Sequence, residues 1–328
     1  MTSIKDVAKL AGVSVTTVSR VLNNKGYISS ETKLKVKKAM QELDYEPNQI
    51  ARSLLSNQSF IIGVVVPDLS HPLFAELVEK IEDYANERNY KILVCNSLQE
   101  SEKEKKYLTM LKQNRVDGII MCSHSLEVAH YRQEKLPIVS FDRIISSSIP
   151  YISSDNYRGG EIATEHLIKS GCKNLLHISG PLNYDLLSNR RADAFQLTSM
   201  RYEVQSKVIE GAYIKATTED NLRFIEAQLG EKLREFDGVF CSNDFMAYSL
   251  YLYAQKLGIK VPSELKIIGY DYHHFTKMLQ TPRLTTIKQP IDQIGKKLCS
   301  ELIAQIESDT KEGHNTVVDV ELIIGETT

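Results

Sequence analysis

The sequence predicts a small all-α head followed by an α/β core of two doubly wound lobes. Three observations predict it. Charge is segregated: residues 1–57 hold nine Lys or Arg against five acids, and the remaining chain holds 31 against 37. Two short helical periods flank a glycine near the start. From residue 61 onward, short apolar runs alternate with longer helical periods, the order that builds parallel sheets covered by helices on both faces. A length of 328 residues suits two or three domains. With 42% hydrophobic and 25% charged residues the chain is globular, neither disordered nor fibrous. The net charge of -2 taken alone argues against nucleic acid. The segregation removes that objection, because a basic head on an acidic body is expected of a nucleic-acid module joined to something else.

The head divides into three helices. Ser3 followed by Asp6 has the spacing of a capped helix start, and Val7, Ala8, Leu10 and Ala11 give it an apolar face. Gly12 breaks this helix, and Val13 follows as a buried turn residue. Ser14 caps a second helix, Val15 to Leu22, with Val18, Val21 and Leu22 inward. Two short helices joined by a tight Gly turn form a helix-turn-helix pattern. In such a motif the first residues of the second helix reach base edges in the major groove. Here those are Val15, Thr16, Ser19 and Arg20. Arg donates two hydrogen bonds to guanine, a Val methyl meets thymine, and a Thr hydroxyl meets several bases. The loop Asn23 to Tyr27 is placed to touch phosphates, and a third helix, about Ser30 to Leu43, buries Leu34, Val36, Ala39, Met40 and Leu43.

Ile4 to Asn23 reads IKDVAKLAGVSVTTVSRVLN and Tyr45 to Leu54 reads YEPNQIARSL. These stretches resemble the DNA-binding headpiece and hinge of the LacI/GalR family of bacterial transcription repressors. The resemblance implies a helix-turn-helix domain over 1–47, a hinge over 48–57, and a core over 58–328 that binds an effector and dimerises. It adds Ile4, Ser14, Asn23, Tyr27 and Asn48 to the DNA contacts. It implies that the hinge folds on DNA beside its twin; an isolated helix this short is marginal in water. Small Ala51 lets that helix approach the minor groove, and Leu54 matches the family's apolar wedge between central base steps.

In the core, strands are expected at Ile61–Val66, Lys91–Cys95, Gly118–Cys122, Ile138–Phe141, Asn174–Ser179, Tyr202–Ile209, Gly238–Ser242 and Leu265–Tyr270. Helices are expected at Leu73–Arg88, Glu102–Gln113, Tyr157–Ser170, Ser188–Arg201, Glu219–Leu229, Phe245–Leu257 and Ile291–Ile306. Ligands of such sheets sit outside the carboxyl ends of the strands, here between two lobes. PDLSHPLF, FDR, SSDNYRGG, CSND, IIGYD and LTTIKQP lie at those ends. They resemble the effector core of the same family, which is similar to periplasmic sugar-binding proteins. The lobes then comprise approximately residues 60–157 plus 288–319, and 158–287 plus 320–328. The resemblance implies a polyol pocket. Phe74 stacks on a sugar face, Asp142 and Asp271 accept from adjacent hydroxyls, Arg191 forks onto a hydroxyl pair or phosphate, and Asn243 both donates and accepts. Arg190 beside Arg191 leaves that assignment open by one position. Asp271, Asn243 and Asp244 also suit as helix caps, and His273 and His274 as loop residues at the cleft rim.

Catalytic signatures are absent. There is no G-x-S-x-G, phosphate-binding loop, dinucleotide fingerprint or H-E-x-x-H, so neither an enzyme nor a cofactor is expected. Five widely spaced cysteines exclude zinc-knuckle spacing, no metal is expected, and the thiols suit a reducing cytoplasm. No stretch approaches the length of a membrane span. The expected function is a repressor of a carbohydrate-utilisation operon, a homodimer on a near-palindromic operator, released by a sugar or sugar phosphate. The alternatives are a sugar-binding module that does not bind DNA, and a regulator using a corepressor. Spellings such as CNS at Cys95–Ser97, SSDN at Ser153–Asn156 and the pair His274–Phe275 resemble the sucrose operon repressors of low-GC Gram-positive bacteria.

Overall fold

The computed structural model describes residues 2–22, 26–45, 58–123, 136–182, 186–211, 217–278, 281–308 and 313–328. It divides into two compact units, Met1–Phe60 and Ile61–Thr328.

The first unit holds α1 (Ile4–Ala11), α2 (Val15–Leu22) and α3 (Ser30–Glu42). The Asp6 carboxylate accepts from the Ser3 backbone N–H at 2.9 Å and the Ser3 hydroxyl at 2.7 Å, closing the start of α1. Gly12 ends that helix at φ 65, the left-handed region glycine enters without a Cβ penalty. The Ser14 hydroxyl accepts from Thr17 N–H at 3.1 Å and caps α2, as its position predicts. Val7, Ala8, Val18, Val36 and Ala39 are the buried core. Leu34 departs from expectation and is 56% exposed. The inward stripe of α3 is Val36, Ala39, Met40 and Leu43, at helical spacing; Leu34 stands two positions before it, on the opposite side.

The second unit is two parallel sheets. The first has the order β11-β5-β4-β3-β1-β2, from β1 (Ile61–Val66), β2 (Lys91–Asn96), β3 (Gly118–Met121), β4 (Ile138–Phe141), β5 (Tyr151–Ser154) and β11 (Thr316–Val318). The second has the order β12-β10-β9-β8-β6-β7, from β6 (Asn174–Ser179), β7 (Gln205–Glu210), β8 (Gly238–Cys241), β9 (Lys266–Asp271), β10 (Thr285–Lys288) and β12 (Glu321–Ile323). Among the described strands only β12 runs antiparallel to its neighbour. The helices are α4 (Pro72–Glu87), α5 (Ser101–Gln113), α6 (Asn156–Lys169), α7 (Arg190–Arg201), α8 (Thr218–Gln228), α9 (Asp244–Lys256), α10 (His274–Met278) and α11 (Ile291–Glu307).

Strand alternation distributes side chains to the two faces. In the second sheet, Leu176, Val239 and Ile267 pack with Ile225 and Leu250 on one side. Leu175, Phe240 and Ile268 pack with Leu167 and Phe195 on the other. The eight expected strands are present, although β7 starts at Gln205 because α7 continues to Arg201. Four strands, β5, β10, β11 and β12, and helix α10 were not among the expected elements. The chain passes between the sheets three times, after β5, after β10 and after β11. All five cysteines are buried free thiols.

Candidate nucleic-acid interface and ligand cleft

On α2, Ser14, Val15, Thr16 and Arg20 are exposed, and Ser19 is half-buried. This follows from the helix period: Val18, Val21 and Leu22 take the core side and leave 15, 16 and 20 outward. Tyr27 is fully exposed, whereas Ile4 packs its side chain against the head core. Asn23, Asn48, Ala51 and Leu54 lie outside the described residues.

In the core unit, a cavity of about 190 Å³ opens at the strand ends of both sheets, and Phe74, Asp142, Arg191, Asn243 and Asp271 all line it. Arg191 is buried and lines the cavity, whereas Arg190 is exposed and is not among its lining residues. The guanidinium donates from Nε to Asn156 Oδ1 at 2.7 Å and from Nη1 to the Ser242 carbonyl at 2.8 Å. Its plane lies over the Tyr270 ring, 3.5 Å from the centroid. Such a contact fixes the fork more firmly when it is desolvated.

Asp142 Oδ1 accepts from Ser153 Oγ and from Asn156 Nδ2, both at 2.7 Å. Burial pushes its carboxyl above the usual range, opposed by Arg191 and these hydrogen bonds. Asp271 Oδ1 accepts from Gln289 Nε2 at 2.7 Å, and Oδ2 has no protein partner among the described residues. Burial pushes Asp271 up to about 8, with Arg191 opposing and Asp244 adding to the rise. Both carboxylates sit at positive φ, 56 for Asp142 and 115 for Asp271. Left-handed backbone at non-glycine residues costs of order 1–3 kcal/mol and gathers at functional sites.

Asn156 and Gln289 stand on two of the three passages between the sheets. Ser154 joins them, since Asn156 Nδ2 donates to the Ser154 carbonyl at 3.2 Å and Ser154 Oγ donates to Gln289 Oε1 at 2.5 Å. A continuous hydrogen-bonded chain therefore runs from Asp271 of one lobe, through both passages, to Asp142 of the other.

Asn243 lines the cavity and also caps α9, its Oδ1 accepting from Met246 N–H at 2.8 Å. Asp244 lies behind the cavity, accepting from Tyr272 N–H at 2.8 Å and from the hydroxyls of Thr276 and Thr286, both at 2.5 Å. Burial lifts it to about 7. Phe74 meets Phe141 edge-on, ring centroids 6.5 Å apart. His273 differs from expectation: it is buried, not at a rim, while His274 is exposed. Asp68, His71, His177, Ser188, Asn221 and Gln289 also line the cavity, beyond the residues foreseen. The loop motifs PDLSHPLF and LTTIKQP contained three of them. His177 carried no signal, since HIS inside an apolar strand reads as core. Among the described residues no group of three or more His, Cys, Asp or Glu could hold a metal ion. Among the described residues no helix is long and apolar enough to cross a membrane.

Residues 3–48 match the model of bacterial regulatory proteins of the lacI family, and residues 59–326 match that of periplasmic binding proteins and the sugar binding domain of the LacI family. The chain belongs to the LacI family. The sucrose operon repressor of Pediococcus pentosaceus is 41% identical over 93% of this chain and 92% of its own length. The ribose operon repressor of Halalkalibacterium halodurans is 38% identical over 100% and 97%. Among solved structures, the lac repressor dimer bound to operator and an anti-inducer aligns with TM-score 0.86 at 25% identity, covering 99% of this chain and 98% of that one. A LacI-type regulator from Alkaliphilus metalliredigens complexed with D-xylulofuranose aligns at TM-score 0.75 and 33% identity, over 82% and 98%. This LacI-family chain is a DNA-binding transcription regulator, and its relatives are repressors, not enzymes.

Proposed function

We propose that the chain represses a carbohydrate-utilisation operon from the cytoplasm, bound at the nucleoid to a near-palindromic operator. Two copies pair through the core, each presenting α2 to one half-site, because two such motifs about 34 Å apart read successive major grooves. Residues 1–47 carry the base contacts, with Val15, Thr16, Ser19 and Arg20 at the groove. Residues 48–57 form the hinge, where Asn48 contacts DNA and Ala51 and Leu54 meet the minor groove. Residues 58–328 hold the effector, with Phe74, Asp142, Arg191, Asn243 and Asp271 around it.

The observation that carries this reading is the hydrogen-bonded chain joining Asp142 and Asp271 through both passages. A polyol bridging those two carboxylates has different contacts when the lobes turn relative to each other. Only such differential affinity shifts a conformational equilibrium. By linkage, effector and operator then alter each other's affinity by the same factor. Release of the operator by sugar is the expected sign, as the sugar operon relatives suggest.

The test selects operators from random duplexes with the full chain, then titrates sugars into the complex. Loss of binding on adding a sugar supports induction, and tighter binding indicates a corepressor. Arg20→Ala is expected to cost about 1–3 kcal/mol and relax preference at one base pair. Unchanged operator preference sinks the assignment of α2. A core lacking residues 1–57 that still binds the selected duplex refutes the head assignment.

A further inference from the structure

We propose that the cleft selects an uncharged polyol and rejects the phosphate ester of the same sugar. This rests on the sugar-effector reading above and narrows it. Among the described lining residues there is one guanidinium, Arg191, against the carboxylates of Asp68 and Asp142 and the carboxyl of Asp271, which burial raises to about 8 and so leaves largely protonated at pH 7, and there is no lysine. Arg191 already donates through Nε to Asn156 and through Nη1 to Ser242, so the Nε edge that would grip a phosphate as a two-bond fork is occupied. Its positive charge is balanced by Asp142, whose carboxyl it helps keep ionised. His71 and His177 add no cation at neutral pH, because burial lowers each to about 4.

Helix starts are a further source of positive potential, and at two of those facing the cavity, α4 and α9, a first-turn donor is already taken by a side-chain cap. The His71 ring accepts from Leu73 N–H at 3.3 Å at the head of α4, and Asn243 accepts from Met246 N–H at the head of α9. A dianionic phosphoryl group in this cleft therefore meets carboxylates without a surplus cation, and like-charge contacts suppress wrong partners strongly. A neutral sugar meets what it needs. Asp142 accepts from hydroxyls, the buried, unpartnered Oδ2 of the largely protonated Asp271 can exchange a hydrogen bond with a hydroxyl in either direction, and Phe74 with Phe141 supplies an apolar wall.

The experiment is calorimetric titration of the full chain at pH 7 with three matched pairs: fructose and fructose 6-phosphate, sucrose and sucrose 6-phosphate, ribose and ribose 5-phosphate. The neutral member of at least one pair should bind, with its ester weaker by roughly 100-fold or more. An ester that binds as tightly as its parent sugar, or more tightly, overturns the proposal. Silence from all six compounds, with the operator still bound, refutes the sugar-effector reading itself. The variant Asp142→Asn separates charge from shape: it should narrow the discrimination at least tenfold, and an unchanged ratio removes the electrostatic explanation.

Discussion

Replacing Gly160 by alanine should damage effector binding without touching the cleft. Gly160 lies on α6 where that helix crosses α7. A Cβ there would stand 2.6 Å from the Arg191 carbonyl oxygen, 2.9 Å from Arg191 Cα and 3.0 Å from Ala194 Cβ. The nearest neighbours are backbone, so no side chain can swing aside. Ordinary contact begins at 3.4 Å, and α7 must retreat by about 0.8 Å at its first turn. Arg191 is on that turn. Its bonds of 2.7 and 2.8 Å would lengthen to about 3.5 Å, beyond the useful range. Overpacking of this kind costs about 1–3 kcal/mol. At this size that is a fall in Tm of roughly 2–5 °C. Scanning calorimetry of Gly160→Ala without ligand reads the first effect, and titration with the sugar that binds the parent protein reads the second. A variant with unaltered Tm and unaltered affinity would show that α6 and α7 are not held this closely, and the account of how Arg191 is positioned would fail.

Other outcomes follow from the same side chains. Tyr270→Leu removes the face under Arg191 and should weaken effector binding by on the order of 2 kcal/mol, about 30-fold, while Tyr270→Phe keeps the face and the affinity; equal losses in both variants would remove the stacking role. Asp271 is raised in the folded chain to about 8 from a carboxylate's ordinary value near 4, and it faces Arg191, Asp142, Asp244 and Gln289. The folded state therefore holds the extra proton between those values, and this contribution to stability is full below about pH 4 and lost as pH rises through about 8. Asp271→Asn should thus gain stability relative to the parent as pH rises from 5 to 8; parallel Tm curves would contradict the shift. Ser14→Ala should cost the head about 1 kcal/mol through the lost cap and weaken operator binding, as read by anisotropy, whereas a variant as stable and as tight as the parent would deny Ser14 its cap.

The head was legible nearly to the residue, because its signals are local. Capping serines, a breaking glycine and apolar periodicity all act within one turn, and α1 and α2 begin and end where those signals place them. The eight apolar strands were legible for the same reason. Strands β5 and β10 were not: YISS and TTIK are four residues long and half hydroxylic. Thr285 and Thr286 are fully buried only because distant groups satisfy them, Thr328 and Asp244 respectively. Strands β11 and β12 are three residues each, too short for alternation to show, although the expected lobe boundary at 319/320 falls between them and they belong to different sheets. In the cleft, residues at strand ends were found because the fold class puts ligands there. Gln289 was missed as a lining residue because its importance lies in reaching both Ser154 and Asp271, a fact of tertiary position. Asn243 showed that the cap and the pocket are compatible roles for one side chain.

The three passages between the sheets bear on how the protein comes to be made. The first sheet's edge strand β11 and its covering helix α11 are encoded after the whole of the second sheet's parallel set. Cys299 Sγ of α11 lies 3.3 Å from the Ile81 carbonyl of α4, and Leu302 packs against Gly118 of β3. A nascent chain leaving the ribosome therefore carries a first sheet that lacks one edge strand and part of its helical cover until nearly all of the polypeptide has emerged. The closing residues complete the second sheet too, where Thr327 donates to the Ile267 carbonyl at 2.7 Å and accepts from Thr285 N–H at 2.9 Å. Neither lobe can finish before the other, so the core should melt in one cooperative transition despite its two hydrophobic centres, and the half-made chain is a natural client for chaperones.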